Sequence, residues 1–307
     1  MNNLKVSSLR IRSTTKSTGD LQGSKVSLAR DYGGLGKRYY NQLGQELDRI
    51  LQVDTGTGIT ETKGSVRGRG IQLALEMKRR GIVETDIVLI SSRNHADQTI
   101  VVLATLFLGA IVAPLDPEFS YKECLEIVKK LKPKMCFCDT RTISQMERIF
   151  LNLNFTSDMV HFGTENGGSI PFSKLFIHKE EDYFQPVFIE NPRLSVAFIL
   201  PTQGTCCDPK LICLSHHNIF VQTMIFLDIF NYPEKSLIFF PLSWILQTVL
   251  TCVSFEAQIT RILPATFTER SVCKIIHDFA IGHAIFGTDY AIRIIGNVAL
   301  KVTNLCL

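Results

Sequence analysis

Two kinds of apolar patterning alternate along the chain. Short uninterrupted apolar runs are separated by longer segments whose apolar positions recur every three or four residues. The runs at 86–91, 110–113 and 134–138 predict strands, the second closed by Pro114. The periodic segments between them predict helices. One is capped by Asn94 or Asp97 and runs to Leu108; the other is capped by Ser120 and runs to Leu131. Ser120 has Glu123 three residues on, which is the capping-box spacing. Strand–helix–strand–helix–strand order predicts parallel pairing through right-handed crossovers. Runs without polar alternation predict strands covered on both faces.

The flanking segments extend this pattern. A helix over 71–80 has an apolar face of Ile71, Leu73, Ala74, Leu75 and Met77, and Gly81 stops it. A turn is predicted at 55–58 and a short helix over 41–50, while residues 1–40 carry no periodic apolar signal. Residues 141–191 predict one helix, two short strands and a loop at Gly167-Gly168. Strands are then expected at 195–200, 210–214, 236–240, 258–263 and 283–286, with helices from Ser215, over 243–255 and over 268–280. The fold class is α/β, with mainly parallel sheets and flanking helices.

Composition sharpens the picture. With 307 residues, 45% hydrophobic and 20% charged, the chain can bury a sizeable core, which excludes a disordered chain, a collagen repeat and a coiled coil. The net charge of +4 is uneven. Residues 1–40 sum to +6 and the remainder to −2, so the excess lies on a Ser/Thr/Gly-rich stretch read as a disordered basic leader. No second basic cluster with interleaved aromatics extends it, so no nucleic-acid partner is expected. Nine cysteines in no regular framework, with no apolar leader segment, point to a reducing, cytoplasmic setting. Two stretches, 98–115 and 236–255, lack formal charge, but Gly109, Pro114, Pro241 and Ser243 break them. They read as buried α/β elements rather than membrane spans.

Candidate chemistry lies between Ser195 and Asn218. A buried strand enters a polar loop holding Thr202, Gly204 and Thr205, followed by Pro209-Lys210, a strand, and a helix start with Ser215, His216 and Asn218. Glycine admits backbone N–H groups to a phosphate, hydroxyls donate to it and lysine neutralises it. Cys136-x-Cys138 and Cys206-Cys207 lack a second ligand pair at zinc spacing. Gly33-Gly34-Leu35-Gly36 follows no strand, so it is not a dinucleotide loop.

The stretch resembles the phosphate-binding signature of the adenylate-forming superfamily, Thr-Ser-Gly-Thr-Thr-Gly-x-Pro-Lys-Gly-Val-x-x-Ser-His-x-Asn. Thr202, Gly204, Thr205, Pro209, Lys210, Ser215, His216 and Asn218 match at fixed spacing. Residues 106–117 and Lys132-Pro133-Lys134 resemble the N-terminal half of the same enzymes, in the luciferase-like and coumarate-CoA-ligase-like branch. The likeness implies that 41–307 is a truncated AMP-binding N-terminal domain without its C-terminal lid. It implies ATP-dependent activation of a hydrophobic carboxylic acid, magnesium as cofactor and transfer to coenzyme A. Thr202, Gly204, Thr205 and Lys210 would bind nucleotide, and Trp244 would line the acid pocket. No metal ligand or catalytic residue is assigned. The departures imply impaired catalysis or a non-catalytic small-molecule-binding relative. Gln203, Cys206, Cys207 and Leu211 replace the signature's Ser, Thr and two Gly residues, and the later Tyr-Gly-x-Thr-Glu motif is not found. A partner covering the truncated face, or a membrane-associated structural role, is a further expectation. The last residues, Asn304-Leu305-Cys306-Leu307, are not a Ser-Lys-Leu peroxisomal tail.

Overall fold

The structure, a computed structural model, describes residues 33–163, 168–177, 183–202, 209–229, 234–257, 259–264, 267–286, 294 and 305–306. In chain order its elements are α1 (Gly34–Leu43), β1 (Ile50–Asp54), β2 (Thr60–Thr62), α2 (Lys63–Arg79), β3 (Ile87–Ser91), α3 (Ala96–Phe107), β4 (Ile111–Leu115) and α4 (Tyr121–Leu131). There follow β5 (Met135–Cys138), α5 (Ile143–Leu153), β6 (Asp158–His161), β7 (Ile170–Pro171), a 3₁₀ turn over Phe172–Leu175, β8 (Val196–Pro201), β9 (Leu211–Ser215) and α6 (His216–Ile229). The last are β10 (Lys235–Leu237), α7 (Ile245–Glu256), β11 (Thr260–Leu263), α8 (Glu269–Asp278), β12 (His283–Ile285) and β13 (Leu305–Cys306).

The strands form two sheets, ordered β7-β6-β5-β3-β4-β8-β9 and β13-β12-β10-β11-β1-β2. Pairing is parallel except at one edge of each, where β9 runs against β8 and β2 against β1. The mainly parallel α/β architecture is therefore the one predicted. The uninterrupted runs are covered on both faces, as their patterning required. Val88 and Ile90 enter the central core with α1, α2 and α3, whereas Leu89 between them packs outward with α4 and α5. The smaller sheet sends Leu51 into the central core and packs Leu237 and Ile262 against α8. The uncharged stretches become α3 with β4 and β10 with α7. Among the described residues no helix is long and apolar enough to cross a membrane.

Local signals placed several ends correctly. Ser120 accepts the Glu123 N–H while the Glu123 carboxylate takes the Ser120 N–H at 2.8 Å, completing the capping box of α4. Gly81, at φ 86°, follows α2. The cap of α3 is neither Asn94 nor Asp97 but His95, whose Nδ1 accepts the Asp97 N–H at 3.2 Å.

Three expectations need correction. The ordered chain begins before residue 41, since Gly34–Tyr40 lie in α1 with Leu35 and Tyr39 fully buried. The glycines there serve packing. A Cβ on Gly36 would lie 2.0 Å from the Leu106 carbonyl oxygen, so α1 crosses α3 at backbone contact. The helix expected over 41–50 is displaced: residues 41–43 are the end of α1, and Ile50 opens β1, which pairs in parallel with β11, Gln52 opposite Arg261. Helix α2 starts at Lys63, with Thr62 accepting the Ser65 N–H at 3.2 Å, and takes Gly64, Gly68 and Gly70 into its length. Gly70 faces Leu103 and Phe107 of α3, where a Cβ would meet the Phe107 ring at 3.2 Å. Residues 1–32 and Gly167 lie outside the described residues.

Candidate functional site

The signature stretch folds as the β8–β9 hairpin leading into α6. Thr202 and Lys210 face each other across its open end. The Thr202 N–H donates to the Lys210 carbonyl at 2.8 Å, and the Lys210 N–H donates to Thr202 Oγ1 at 3.2 Å. Among the described residues the Thr202 hydroxyl proton has no acceptor, so it can donate. The Lys210 side chain is exposed. Gly204 and Thr205, with Gln203, Cys206 and Cys207, lie outside the described residues. Leu211, which replaces a signature glycine, is opposite Pro201 and packs against the outer core cluster, so it fills a strand position.

The last part of the signature is architectural. The Ser215 hydroxyl accepts the Asn218 N–H at 3.1 Å, and Asn218 Oδ1 takes the Ser215 N–H at 3.0 Å, a reciprocal cap at the start of α6. His216 is fully buried, and its Nδ1 accepts the Leu35 N–H in the first turn of α1 at 3.2 Å. Burial pushes its pKa down to about 4, so the ring is neutral, with its proton on Nε2.

Trp244 meets the hairpin. It is 43% exposed, so it is not a core residue, and it stacks on Phe240 with ring centroids 5.4 Å apart. A cleft of about 530 Å³ lies between the hairpin and the start of α7, lined by Leu200, Thr202, Ile212 and Leu214 on one side and Ser243 and Trp244 on the other. The hairpin residues share one face because side chains alternate with period two and Leu200 lies opposite Ile212. Thr202 and Trp244, far apart in sequence, thus line the same cleft. Lys210 is outside its lining. Ser243 also lines the cleft, although the sequence did not single it out as a candidate. Its only sequence signal was its position as a polar residue inside an uncharged stretch.

A second cleft, of about 620 Å³, opens where the carboxyl ends of the parallel strands in both sheets converge, among Asp54, Arg93, Asp139, Phe239 and Phe267. Arg93 Nε lies 3.1 Å from Asp139 Oδ2. Burial disfavours the Asp139 charge, but N–H groups of Arg93, Thr142 and Arg141 outweigh it and hold the carboxyl below its usual range. Among the described residues no group of three or more His, Cys, Asp or Glu side chains is placed to hold a metal ion.

Comparison with known proteins places this geometry in context. The profile of the AMP-binding enzyme family matches residues 42–297. The luciferin 4-monooxygenase of Photuris pensylvanica is 24% identical over 154 residues, which cover 48% of this chain and 28% of that protein. The 4-coumarate–CoA ligase-like protein 9 of Arabidopsis thaliana is 21% identical over 236 residues, covering 75% of this chain and 40% of that one. The match therefore spans well under half of either relative. The luciferase-like enzyme of the nonluminescent mealworm Zophobas morio superposes with a TM-score of 0.81 at 23% identity, over 88% of this chain and 63% of that one, and shares the fold.

Proposed function

The chain belongs to the AMP-binding enzyme family, and from that premise we propose that it carries the acid-binding and phosphate-facing part of an acid–thiol ligase. Its relatives at low identity include acyl-CoA and 4-coumarate-CoA ligase-like proteins. One observation carries the proposal: Thr202, at the mouth of the signature loop, and Trp244 line one apolar cleft. A hydrophobic carboxylic acid would lie against Trp244, Ile212 and Leu214. The phosphates of ATP would sit beyond Thr202, where a free hydroxyl proton and the exposed Lys210 ammonium suit an anion. In the reaction a carboxylate oxygen displaces pyrophosphate at the α-phosphorus, and the thiol of coenzyme A then displaces AMP. This chain's residues contribute binding and alignment of the two substrates, the part of the barrier that proximity lowers. Magnesium would accompany the nucleotide.

A second reading, a binding protein without turnover, is favoured by Gln203, Cys206, Cys207 and Leu211 standing where the signature has small or hydroxyl residues. Calorimetry of ATP, with and without magnesium, on the wild-type chain and on Lys210→Ala separates the two. The ligase reading expects micromolar binding that the substitution abolishes. No heat at millimolar ATP would leave the binding reading alone.

A further inference from the structure

Strands β5, β3, β4 and β8 lie side by side and parallel in the larger sheet, so the loops that precede them line up across its amino end. That end is opposite Thr202 and Arg93, which follow β8 and β3. Exposed cations gather there. Helix α4 finishes in Lys129 and Lys130, and Lys132 and Lys134 lead into β5; all four are exposed. At the end of α2, Arg80 reaches Asp158, the first residue of β6, at 2.9 Å, which brings exposed Lys78 to the same end. Lys134 pairs with Asp86 at 3.2 Å, but Lys78, Lys129, Lys130 and Lys132 have no ion pair among the described residues. The exposed acids on these loops are Glu84 and Glu190.

Large apolar side chains stand among the cations. Val83, before β3, is 58% exposed, and Phe188 and Leu194, before β8, are 50% and 77% exposed. Contacts join the loops that carry them. The Thr85 N–H donates to the Gly109 carbonyl at 3.1 Å, and Gly109 lies against Val187 and Ile189, which flank Phe188. Lys37 Nζ is 4.7 Å from the centre of the Phe188 ring. Gly33 is at this end too, its carbonyl accepting the Ile189 N–H at 3.1 Å, and the 32 residues before it carry six Lys and Arg against two Asp. One exposed apolar residue needs no account. Three interleaved with unpaired cations make a surface with two requirements. Nucleic acid would meet the lysines and leave Val83 and Leu194 in water. An apolar protein face would cover those two and strip water from the ammonium groups. An anionic bilayer offers headgroup charge with hydrocarbon just beneath it.

We propose that the amino end of the larger sheet docks reversibly on an anionic phospholipid surface, with Lys129, Lys130 and Lys132 among the headgroups and Val83, Phe188 and Leu194 at the acyl boundary. Docked this way, the clefts at the carboxyl ends of the strands face away from the bilayer and stay open to ligands. The proposal stands apart from the ligase reading, because it uses none of the residues assigned to that site.

The experiment sediments the full chain, without nucleotide or acid, with vesicles of phosphatidylcholine alone and of phosphatidylcholine mixed with phosphatidylserine. At about 0.1 M salt the anionic vesicles should bind it about tenfold or more tighter than the neutral ones, and about 0.5 M salt should remove most of that difference. The triple variant Lys129→Gln/Lys130→Gln/Lys132→Gln should weaken binding to the anionic vesicles about hundredfold, roughly fivefold for each cation. Its melting temperature should match that of the wild type, since all three side chains are exposed. Lys122→Gln/Lys274→Gln removes exposed lysines at the start of α4 and on α8 and should bind within about twofold of the wild type. Leu194→Ser should weaken vesicle binding about fivefold through lost apolar contact. Equal binding to neutral and anionic vesicles, no sedimentation with either, or undiminished binding by the triple variant would each overturn the proposal. So would tighter binding to a short duplex DNA than to the anionic vesicles at the same salt, lost in the triple variant, which would assign this surface to nucleic acid. Loss of ATP binding in the calorimetry above would remove the ligase reading and leave this proposal standing.

Discussion

Replacing His216 with Asn should flatten the acid limb of the stability profile. His216 Nδ1 accepts the Leu35 N–H, so the folded protein needs a neutral imidazole. Protonation would set two donors against each other inside the core. Burial lowers the folded pKa from 6.5 to about 4. Between those values the unfolded chain binds more protons than the folded one, so stability falls as pH falls through the window. Each tenfold difference in proton affinity is about 1.4 kcal/mol, which makes the loss about 2 kcal/mol between pH 7 and pH 5 and about 3 kcal/mol once pH drops below 4. In His216→Asn the side-chain oxygen can still accept from Leu35 but does not titrate. The assay is urea unfolding followed by far-UV circular dichroism, on both proteins at pH 7 and pH 5. The variant is expected to start lower, having lost ring packing, and to lose about 2 kcal/mol less on acidification. Equal acid losses in the two proteins would refute the claim that a buried neutral His216 ties α6 to α1.

Gly36→Ala should cost at least about 2 kcal/mol, because the new Cβ would meet a backbone carbonyl that cannot rotate away; an unchanged melting temperature would mean that α1 does not cross α3 at this contact. Arg38→Met leaves Glu256, whose side chain is 2% exposed, without the guanidinium that holds both its oxygens at 2.5 and 2.8 Å. Breaking such a pair costs about 3 kcal/mol, and since burial already raises the Glu256 pKa, the penalty should shrink toward pH 5 as the carboxyl takes up a proton. Ser120→Ala should cost about 1 kcal/mol through loss of the α4 cap, read as a lower urea midpoint with unchanged slope.

Much of the larger sheet was legible from local pattern. Runs such as 87–90 and 135–138 are apolar throughout because both faces are covered, and the capping box at Ser120 needs only neighbours within one turn. β1 was not legible. Ile50–Asp54 is an unremarkable short segment until β11 pairs with it from two hundred residues away. α1 was hidden for a related reason: its glycines lower intrinsic helix propensity, and only the contact with α3 explains them.

The candidate site divides the same way. The amino-acid order alone determined the signature stretch, its strand–loop–strand–helix setting, and Lys210 and Trp244 as residues worth following, because each depends on local spacing and residue type. Tertiary structure decided the rest. It placed Thr202 and Trp244 on one cleft, turned His216 into an acceptor for a helix read as part of a leader, and left Ser243 buried beside an uncapped helix start. Whether a buried polar atom has a partner depends on which elements pack together, and short-range pattern along a chain carries no record of that.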